Sequence, residues 1–286
     1  MSYAIEQHKS MRATLCVGLN VTINAKILKF GSKKIYKIAF LADETEDAQK
    51  ALSILSETYG CHLTKDAEII VALGGDGFML STLHDTQCMS LPVYGMNRGT
   101  VGFLMNEFSV EDLCDRLKNA EVADINPLKM QAICADGSKV DALAINEVSL
   151  LRASPQAAKL KITIDDRVRM EELVCDGALV STPAGSTAYN YSSHGPILPI
   201  QSDVLALTAI SAFRPRRWRG ALLPKTAKVR FDVLDSDKRP VMADADSRFS
   251  TQVLSVEITS DQDTTHRILF DPDHGLEERL IREQFV

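Results

Sequence analysis

The sequence predicts an α/β plus all-β fold, with an N-terminal parallel-sheet domain and a C-terminal β-rich, sandwich-like domain. Strands alternate with amphipathic helices up to about Asp124, and strand-like segments joined by short polar turns follow. The length of 286 residues suits two domains of ordinary size. We expect these domains at 34–124 plus 268–286 and at 125–267, after a poorly structured extension at 1–33 that carries no functional residue.

The N-terminal half predicts a sheet covered by helices. KKIYKIAFLA (33–42) is rich in β-branched and aromatic residues, as strands are, whereas DETEDAQKALSILSETYG (43–60) has early acidic residues, helical apolar spacing and a final glycine. Further strands are predicted at 67–75 and 91–97, and further helices at 78–86 and 109–120, the last with Ser109 as its N-cap. This alternation is typical of parallel sheets.

The C-terminal half predicts mostly β-structure. Asp136-Gly137 and Asp165-Asp166 are turn residues between arms in which apolar and polar residues alternate. The final segment, LEERLIREQFV (276–286), returns to helical periodicity. We expect this helix to return to the first domain.

The composition argues against several classes of protein, among them nucleic-acid-binding and membrane proteins. A net charge of -6, without a long run of lysine and arginine, argues against a nucleic-acid or membrane partner and favours a small molecule. No apolar stretch approaches the roughly 20 residues needed to cross a bilayer. The six cysteines are scattered without a CxxC pair, which predicts reduced thiols in a cytoplasmic protein rather than a zinc site or a disulfide framework.

The stretch VALGGDGFML (71–80) is the first candidate for a functional site. Gly75 and Gly77 allow a tight turn after a strand and let a phosphate approach amide N–H groups at the start of a helix. Asp76 would repel phosphates unless it takes a proton, binds a metal or bonds a hydroxyl, and an alcohol that attacks phosphorus needs such an acceptor. A plain Asp-Gly turn explains the stretch too, if it is taken alone. Neither a P-loop motif nor a Rossmann-type G-x-G-x-x-G occurs.

A second glycine-bearing loop is predicted in YGMNRGTVGFLMN (94–106). Here a strand runs into Asn97, and Gly99 and Gly102 follow it. The carboxyl ends of parallel strands meet at one sheet edge, so this loop and the GGDG turn can line one crevice. The alternative is an ordinary exit from a strand.

An unusual polar pair occurs in AINEVSLL (144–151), where Asn146 and Glu147 are adjacent inside an otherwise apolar strand. Side chains alternate across a strand, so one of the two must point toward the buried side, where a polar group needs a partner. Ribose hydroxyls would suit both residues. The alternative is an edge strand or a bulge that faces water.

The segment DGALVSTPAGSTAYNYSSHGPIL (176–198) combines small residues with hydroxyls at the start of a helix. Asp176, Thr187 and Ser192 supply polar groups, and Tyr189 offers a ring on which a base can stack. A tight structural turn capped by a hydroxyl is the alternative.

These motifs, in this order, resemble the NAD kinase family over residues 35–286. GGDG is shared with lipid kinases and phosphofructokinases, whereas the STPAGSTAY stretch is specific. The resemblance implies a phosphotransferase with an alcohol acceptor, which moves the γ-phosphate of ATP, or of inorganic polyphosphate in some members, onto the 2′-hydroxyl of the adenosine ribose of NAD to give NADP. It also implies magnesium and a homodimer or homotetramer.

The resemblance assigns roles to individual residues. It makes Asp76 the proton acceptor, with Gly77 beside it in the nucleotide site. Asn146 and Glu147 match the dinucleotide ligands of the family. The residues that match its adenosine-binding segment are Asp176, Thr187, Ala188, Tyr189 and Ser192.

The sequence also departs from the family pattern. Phe78, a candidate substrate-binding residue, stands where many members have a threonine, so a hydroxyl near the phosphates is missing. The arginines of RRWR, which follow Arg214-Pro215, either contact phosphates or form an exposed basic turn. Asp246 is a weak match to an aspartate of the family, and we treat it, like Asn97 and Gly99, as a possible substrate contact.

Two other functions stay open. A diacylglycerol- or sphingosine-type lipid kinase shares GGDG and the two-domain plan, although it does not account for STPAGSTAYNYSS. A non-catalytic dinucleotide sensor would keep the pocket, although it would have no need for Asp76.

Overall fold

The computed structural model describes residues 36–99, 102–246, 248–250 and 252–272. They form two compact units: the first runs to Val122 and resumes at Ile268, and the second runs from Ala123 to Arg267. The predicted extension at 1–33 and the predicted helix at 276–286 lie outside the described residues.

The first unit is built on a parallel sheet with helices. Its strands are β1 (Ile38–Ala42), β2 (Ile69–Gly74) and β3 (Val93–Asn97), and its helices are α1 (Glu46–Tyr59), α2 (Asp76–Thr86) and α3 (Leu113–Asn119). Short 3-10 helices occupy Thr64–Asp66 and Gln87–Met89. The sheet is completed by β4 (Glu121–Ile125) and β17 (His266–Phe270), in the order β1-β2-β3-β17-β4. The pairs β1–β2, β2–β3 and β3–β17 are parallel.

The sequence explains why these elements form. All six residues of β2 are buried, as expected for a central strand covered on both faces. Helix α1 buries Ala48, Ala51 and Leu55 on one face, and the Thr45 hydroxyl accepts a hydrogen bond from the Ala48 N–H at 3.4 Å. Gly60, with a φ of 76°, ends the helix.

Two predicted helix starts are wrong. Helix α2 begins at Asp76, two residues before Phe78, and α3 begins at Leu113 with Asp112 as its N-cap. Ser109 does not cap α3, because its hydroxyl accepts the Glu111 N–H at 3.2 Å within the preceding turn. Such local side-chain bonds compete with helix formation.

The second unit consists of two six-stranded sheets. One has the order β12-β11-β10-β7-β14-β15 and the other β6-β5-β16-β13-β8-β9, and every assigned pair between described strands is antiparallel. The strands are β5 (Leu128–Cys134), β6 (Lys139–Ala144), β7 (Glu147–Arg152), β8 (Ala158–Ile164), β9 (Arg167–Cys175), β10 (Gly177–Ser181), β11 (Val204–Ile210), β12 (Gly220–Pro224), β13 (Val229–Val233), β14 (Val241–Ala245), β15 (Arg248–Ser250) and β16 (Val253–Ser260). A 3-10 turn at Ala184–Thr187 leads into the short helix α4 (Tyr189–Ser192).

Apolar side chains from both sheets form one core. Strand β5 alternates buried and exposed residues along its whole length, so one of its faces is covered. Val180 of β10 and Phe231 of β13 belong to the same buried cluster although they lie in different sheets. This two-layer arrangement agrees with the predicted β-rich domain. Among the described residues, no helix is both long and apolar enough to cross a bilayer.

Candidate active site

The glycine-rich turn of the first unit lies at the carboxyl end of β2. Gly75 is the N-cap of α2, and Asp76 begins the helix. A Cβ on Gly74 would lie 2.8 Å from the Phe78 Cβ, so glycine is needed there for Phe78 to pack over β2. A Cβ on Gly75 or Gly77 would meet no described atom within 4 Å. These two glycines therefore leave space beside a helix N-terminus, where N–H groups can bind an anion.

The Asp76 carboxylate is held by the loop that follows β3. Its Oδ2 accepts the Phe103 N–H at 2.7 Å, and its Oδ1 accepts the Leu104 N–H at 3.0 Å. Two backbone donors favour the ionised carboxylate and fix its orientation. A Cβ on Gly102 would lie 2.9 Å from Asp76 Oδ1, so glycine keeps this approach open. Phe103 and Leu104 were not predicted as site residues, because backbone donors have no side-chain signature in a sequence.

The loop after β3 also lies against the glycine-rich turn. The Arg98 N–H donates to the Gly74 carbonyl at 2.7 Å, and the Asn97 side-chain oxygen accepts the Gly99 N–H at 2.9 Å. A Cβ on Gly99 would lie 3.4 Å from the Gly75 Cα. The structure therefore brings the two predicted glycine-bearing loops together at the carboxyl ends of neighbouring parallel strands.

A groove of about 550 Å³ opens in the first unit beside helix α2. Phe78 forms part of its wall, and Asp43, Glu44 and Asp85 contribute carboxylates. The other lining residues are mostly apolar or carry hydroxyls, among them Leu41, Leu63, Ser81, Thr82 and Met89. The volume is within the range of small-molecule sites. Phe78 thus packs over β2 and forms part of the groove wall.

In the second unit, Asn146 and Glu147 lie at the start of β7. The expectation that both lie inside one strand is wrong for Asn146, because β6 ends at Ala144 and β7 begins at Glu147. The physical reason is the Asp246 carboxylate, around which the chain bends. It accepts backbone N–H groups of Ile145, of Asn146 at 3.1 Å and of Glu147 at 3.4 Å. Asp246, predicted as a substrate contact, is therefore placed to orient the Asn-Glu pair.

The Asn-Glu pair presents polar atoms that need a partner. Within the described part of the chain, the buried Asn146 Oδ1 and Glu147 Oε2 make no hydrogen bond. Burial, followed by the negative charges of Asp246 and Asp244, raises the pKa of Glu147 to about 8. A buried polar atom without a partner is costly, so a ligand that bonds to both atoms would be bound favourably.

The STPAGSTAY segment packs directly on this pair. The Thr182 N–H donates to the Asn146 carbonyl at 2.9 Å, and the Thr182 hydroxyl donates to the Ile145 carbonyl. A Cβ on Gly185 would lie 2.3 Å from the Asn146 carbonyl oxygen, so only glycine fits. Thr182 and Gly185 were not predicted as site residues, although their place in the STPAGSTAY motif was a signal that could have found them.

A buried asparagine organises the rest of this segment. Asn190 donates from its side chain to the carbonyls of Ser186 at 3.0 Å and Pro196 at 2.8 Å, and it accepts the Thr208 hydroxyl at 2.6 Å. It fixes the turn and α4 against β11. Asn190 was not predicted either, because a single buried asparagine has no recognisable spacing.

Tyr189, a predicted adenosine contact, lies close enough to Glu147 for the charge of that residue to act on it. Burial raises its pKa, and the charges of Glu147 and Asp176 raise it further. The Asp176 carboxylate forms an ion pair with the Arg152 guanidinium at 2.6 Å.

The other predicted adenosine contacts flank the Tyr189 position. Thr187 ends the 3-10 turn, Ala188 is the N-cap of α4, and Ser192 ends α4 at an exposed position. The exposed position of Ser192 contrasts with that of Asn190, which is buried in the same short helix.

The arginines after β11 lie on the surface. Arg214, Arg216, Arg217 and Arg219 are exposed, and the guanidinium of Arg214 lies 5.5 Å from the centre of the Phe213 ring. This agrees with an exposed basic turn, the second of the two interpretations above.

The described residues contain no cluster of three or more histidine, cysteine, aspartate or glutamate residues that could hold a metal. Magnesium commonly uses only one or two carboxylates and takes its remaining ligands from phosphates and water. Asp76 is the carboxylate at the glycine-rich turn, where the N-terminus of α2 can also bind phosphates. The residues present therefore fit a magnesium ion that is shared with phosphates.

Comparison with known proteins identifies the family. Residues 5–120 match the ATP-NAD kinase N-terminal domain, and residues 145–259 match the ATP-NAD kinase C-terminal domain. An NAD kinase of Cereibacter sphaeroides is 66% identical over 250 residues, which cover 87% of this chain and 98% of that protein. The NAD kinase of Caulobacter vibrioides is 56% identical over 251 residues, or 88% of this chain and 96% of that protein.

Solved structures agree on the fold. An NAD kinase from Archaeoglobus fulgidus in complex with ATP matches with a TM-score of 0.66 and 22% identity, over 87% of this chain and 96% of that one. Yeast NADH kinase complexed with NADH also gives a TM-score of 0.66, with 24% identity, but the match spans 76% of this chain and only 65% of the yeast chain. The two family domains and the identity to the bacterial enzymes show that the chain belongs to the NAD kinase family.

Proposed function

We propose that this chain is an NAD kinase, which transfers the γ-phosphate of ATP to the 2′-hydroxyl of the adenosine ribose of NAD. The observation that carries this proposal is the Asn146–Glu147 pair, whose buried Oδ1 and Oε2 atoms lack hydrogen-bond partners among the described residues. Ribose hydroxyls supply both donors and acceptors. The names of the bacterial relatives support the same activity.

The first unit supplies the proton acceptor in this proposal. The proton of the 2′-hydroxyl passes to the Asp76 carboxylate while the oxygen forms a bond to the γ-phosphorus. The bond between that phosphorus and the bridging oxygen breaks, and ADP leaves. The amide hydrogen bonds from Phe103 and Leu104 hold the carboxylate in the orientation that this step needs.

The glycine-rich turn and the second unit bind the substrates. Gly75 and Gly77 expose backbone N–H groups at the N-terminus of α2, which stabilise phosphate charge. Asn146 and Glu147 hold the ribose of NAD, and Tyr189 stacks on its adenine. Thr187, Ala188 and Asp176 complete the adenosine contacts, and Ser192 contributes least because it is exposed.

ATP is the donor that the first unit favours over inorganic polyphosphate. A polyphosphate chain needs cationic groups, whereas the groove beside Phe78 is lined mostly by apolar and hydroxyl-bearing side chains, contains three carboxylates and holds a single lysine, Lys65. Its volume of about 550 Å³ can accept a nucleoside. A structural relative from Archaeoglobus fulgidus was solved with ATP.

Three further features belong to the proposal. Asp76 and the substrate phosphates would hold magnesium, which would neutralise charge on the transferred group. Among the described cysteines, Cys88, Cys134 and Cys175 are reduced thiols, which supports a cytoplasmic location. The family resemblance supports a homodimer or homotetramer.

An acceptor panel tests the proposal. Purified protein is incubated with magnesium, γ-labelled ATP and one of three acceptors: NAD, diacylglycerol or sphingosine. We expect label in the dinucleotide only. Label in either lipid without label in NAD would establish the lipid-kinase alternative, and label in none of them, with NAD binding retained, would establish the sensor.

A further inference from the structure

The loop that holds Asp76 ends at a buried asparagine. Asn106 is 1% exposed and lies two residues after Leu104. Its N–H donates to the Gly95 carbonyl at 2.8 Å, and its own carbonyl accepts the Asn97 N–H at 2.8 Å. The backbone of Asn106 is therefore fixed against β3 on both sides.

The Asn106 side chain joins this loop to β17. Its Nδ2 donates to the Gly95 carbonyl at 3.0 Å and to the Leu269 carbonyl at 2.9 Å. Its Oδ1 accepts the Asp271 N–H at 2.9 Å. Both amide hydrogens and the oxygen are thus used, and they connect β3, the loop and the segment at the end of β17.

Asp271 makes a second connection back to the same loop. Its carboxylate accepts the Tyr94 hydroxyl at 2.6 Å and the Arg116 Nε at 3.1 Å. The Nη2 of Arg116 also donates to the carbonyl of Glu107, the residue after Asn106, at 2.7 Å. The side chains of Arg116 and Asp271 are mostly buried, so this ion pair is poorly screened by solvent.

We propose that Asn106 is a positioning residue for Asp76. Only Met105 separates it from Leu104, and planar peptide units transmit a shift of Asn106 to the amides that hold the carboxylate. This inference rests on the proposed role of Asp76 as proton acceptor. The connected side chains, here called the loop brace, are Tyr94, Asn106, Arg116 and Asp271.

The chemistry of the brace requires an asparagine at its centre. An amide has two donor hydrogens and an acceptor oxygen on one planar group, which are the groups that Gly95, Leu269 and Asp271 demand. Alanine at position 106 would keep the backbone hydrogen bonds to Gly95 and Asn97 but would remove the side-chain bonds to the Gly95 and Leu269 carbonyls and to the Asp271 N–H. The loop would then be held less firmly, and its N–H groups could shift relative to Asp76.

Asn106→Ala tests this proposal in the full chain. A displacement of about 1 Å at a reacting group costs about 100-fold in rate, so we expect kcat for NADP formation to fall by about 10- to 100-fold. The KM values for NAD and ATP should stay at their wild-type values, because no substrate contact is removed. Amide hydrogen exchange in a peptide that covers 102–106 should become faster.

Tyr59→Phe is the matched control in the same unit. The Tyr59 hydroxyl donates to the Val110 carbonyl at 2.6 Å and accepts the Leu113 N–H at 3.2 Å, at the start of α3 rather than at the brace. This variant also loses internal hydrogen bonds. We expect its kcat and its exchange at 102–106 to match wild type.

A second variant, Tyr94→Phe, removes one brace hydroxyl and keeps the ring, so it serves if Asn106→Ala does not fold. It should shift kcat and exchange in the same direction by a smaller factor. The proposal is overturned if kcat in the brace variants falls no further than in Tyr59→Phe, or if exchange at 102–106 does not change. If the wild-type protein forms no NADP, the proposed function fails, whereas hydrogen exchange still decides whether the brace controls the loop.

Discussion

Asp76 is the proposed proton acceptor, and its carboxylate also holds the loop after β3 through the N–H groups of Phe103 and Leu104. Asp76→Asn removes the proton acceptor, so we expect turnover to fall by at least about 100-fold while NAD binding is retained. The asparagine amide can accept only one of the N–H groups of Phe103 and Leu104 through its oxygen, so a modest loss of thermal stability should accompany the loss of rate. Steady-state kinetics and a thermal melt measure the two effects. A turnover within about threefold of wild type would remove the base assignment, which requires a factor of at least about 100.

The raised pKa of Glu147 predicts that this residue makes the folded protein less stable as the pH rises. Its pKa rises from 4.5 to about 8 in the folded chain, because burial and the charges of Asp246 and Asp244 disfavour the ionised form. Between these values the folded state keeps a proton that the unfolded state loses, so this group makes the protein less stable as the pH rises through that window. Above pH 8 both states are ionised and the loss is complete.

Glu147→Gln should therefore melt at a higher temperature than wild type above pH 8, and the difference should narrow as the pH falls toward 4.5. Thermal melts of the ligand-free proteins across this range measure it. A difference that is constant with pH would show that Glu147 does not titrate in this way. Asn146→Asp is not a suitable control, because it adds another carboxylate beside Asp246.

At the scale of the elements, the contact between the STPAGSTAY turn and the bend before β7 leaves no room for a methyl group. In Gly185→Ala the new Cβ would lie 2.3 Å from the Asn146 carbonyl oxygen, so the two segments must separate. We expect a loss of about 1–3 kcal/mol in the free energy of unfolding together with weaker NAD binding. Denaturant unfolding and calorimetric titration with NAD measure these effects.

Gly77→Ala is the control for Gly185→Ala in the measurement of the free energy of unfolding. A Cβ there meets no described atom within 4 Å, and the position is helical, so alanine should stabilise the fold by about 0.5–1 kcal/mol. If both substitutions destabilise the protein equally, the clash at Gly185 is not the cause.

A substitution on helix α2 tests whether the groove is the proposed site of the phosphate donor. Ser81 lines the groove, and Ser81→Trp would fill much of it, so we expect a higher KM for ATP and an unchanged KM for NAD. Ser53→Trp on α1 is the matched control, because both serine hydroxyls donate to the carbonyl four residues earlier and Ser53 does not line the groove. An unchanged KM for ATP in Ser81→Trp would place the nucleoside elsewhere.

At the scale of the whole molecule, the periodicity of the sequence predicts the parallel sheet and the β-rich unit, because buried strands and amphipathic helices leave strong patterns. The glycine-rich turn and the Asn-Glu pair were recognised from residue types that serve no obvious packing purpose. The sequence did not indicate Phe103 and Leu104, because they act through backbone N–H groups. It did not indicate Asn106 either, because its hydrogen bonds reach residues distant in the chain, such as Leu269. The bend at Asn146 was missed for the same reason, because it depends on Asp246.

Formation of NADP tests the central claim most directly. Wild-type protein and Asp76→Asn are each incubated with NAD, ATP and magnesium, and the product is measured with an NADP-specific dehydrogenase. The account predicts NADP with the wild-type protein and a rate lower by at least about 100-fold with Asp76→Asn. A folded wild-type sample that yields no NADP above an enzyme-free blank would contradict it.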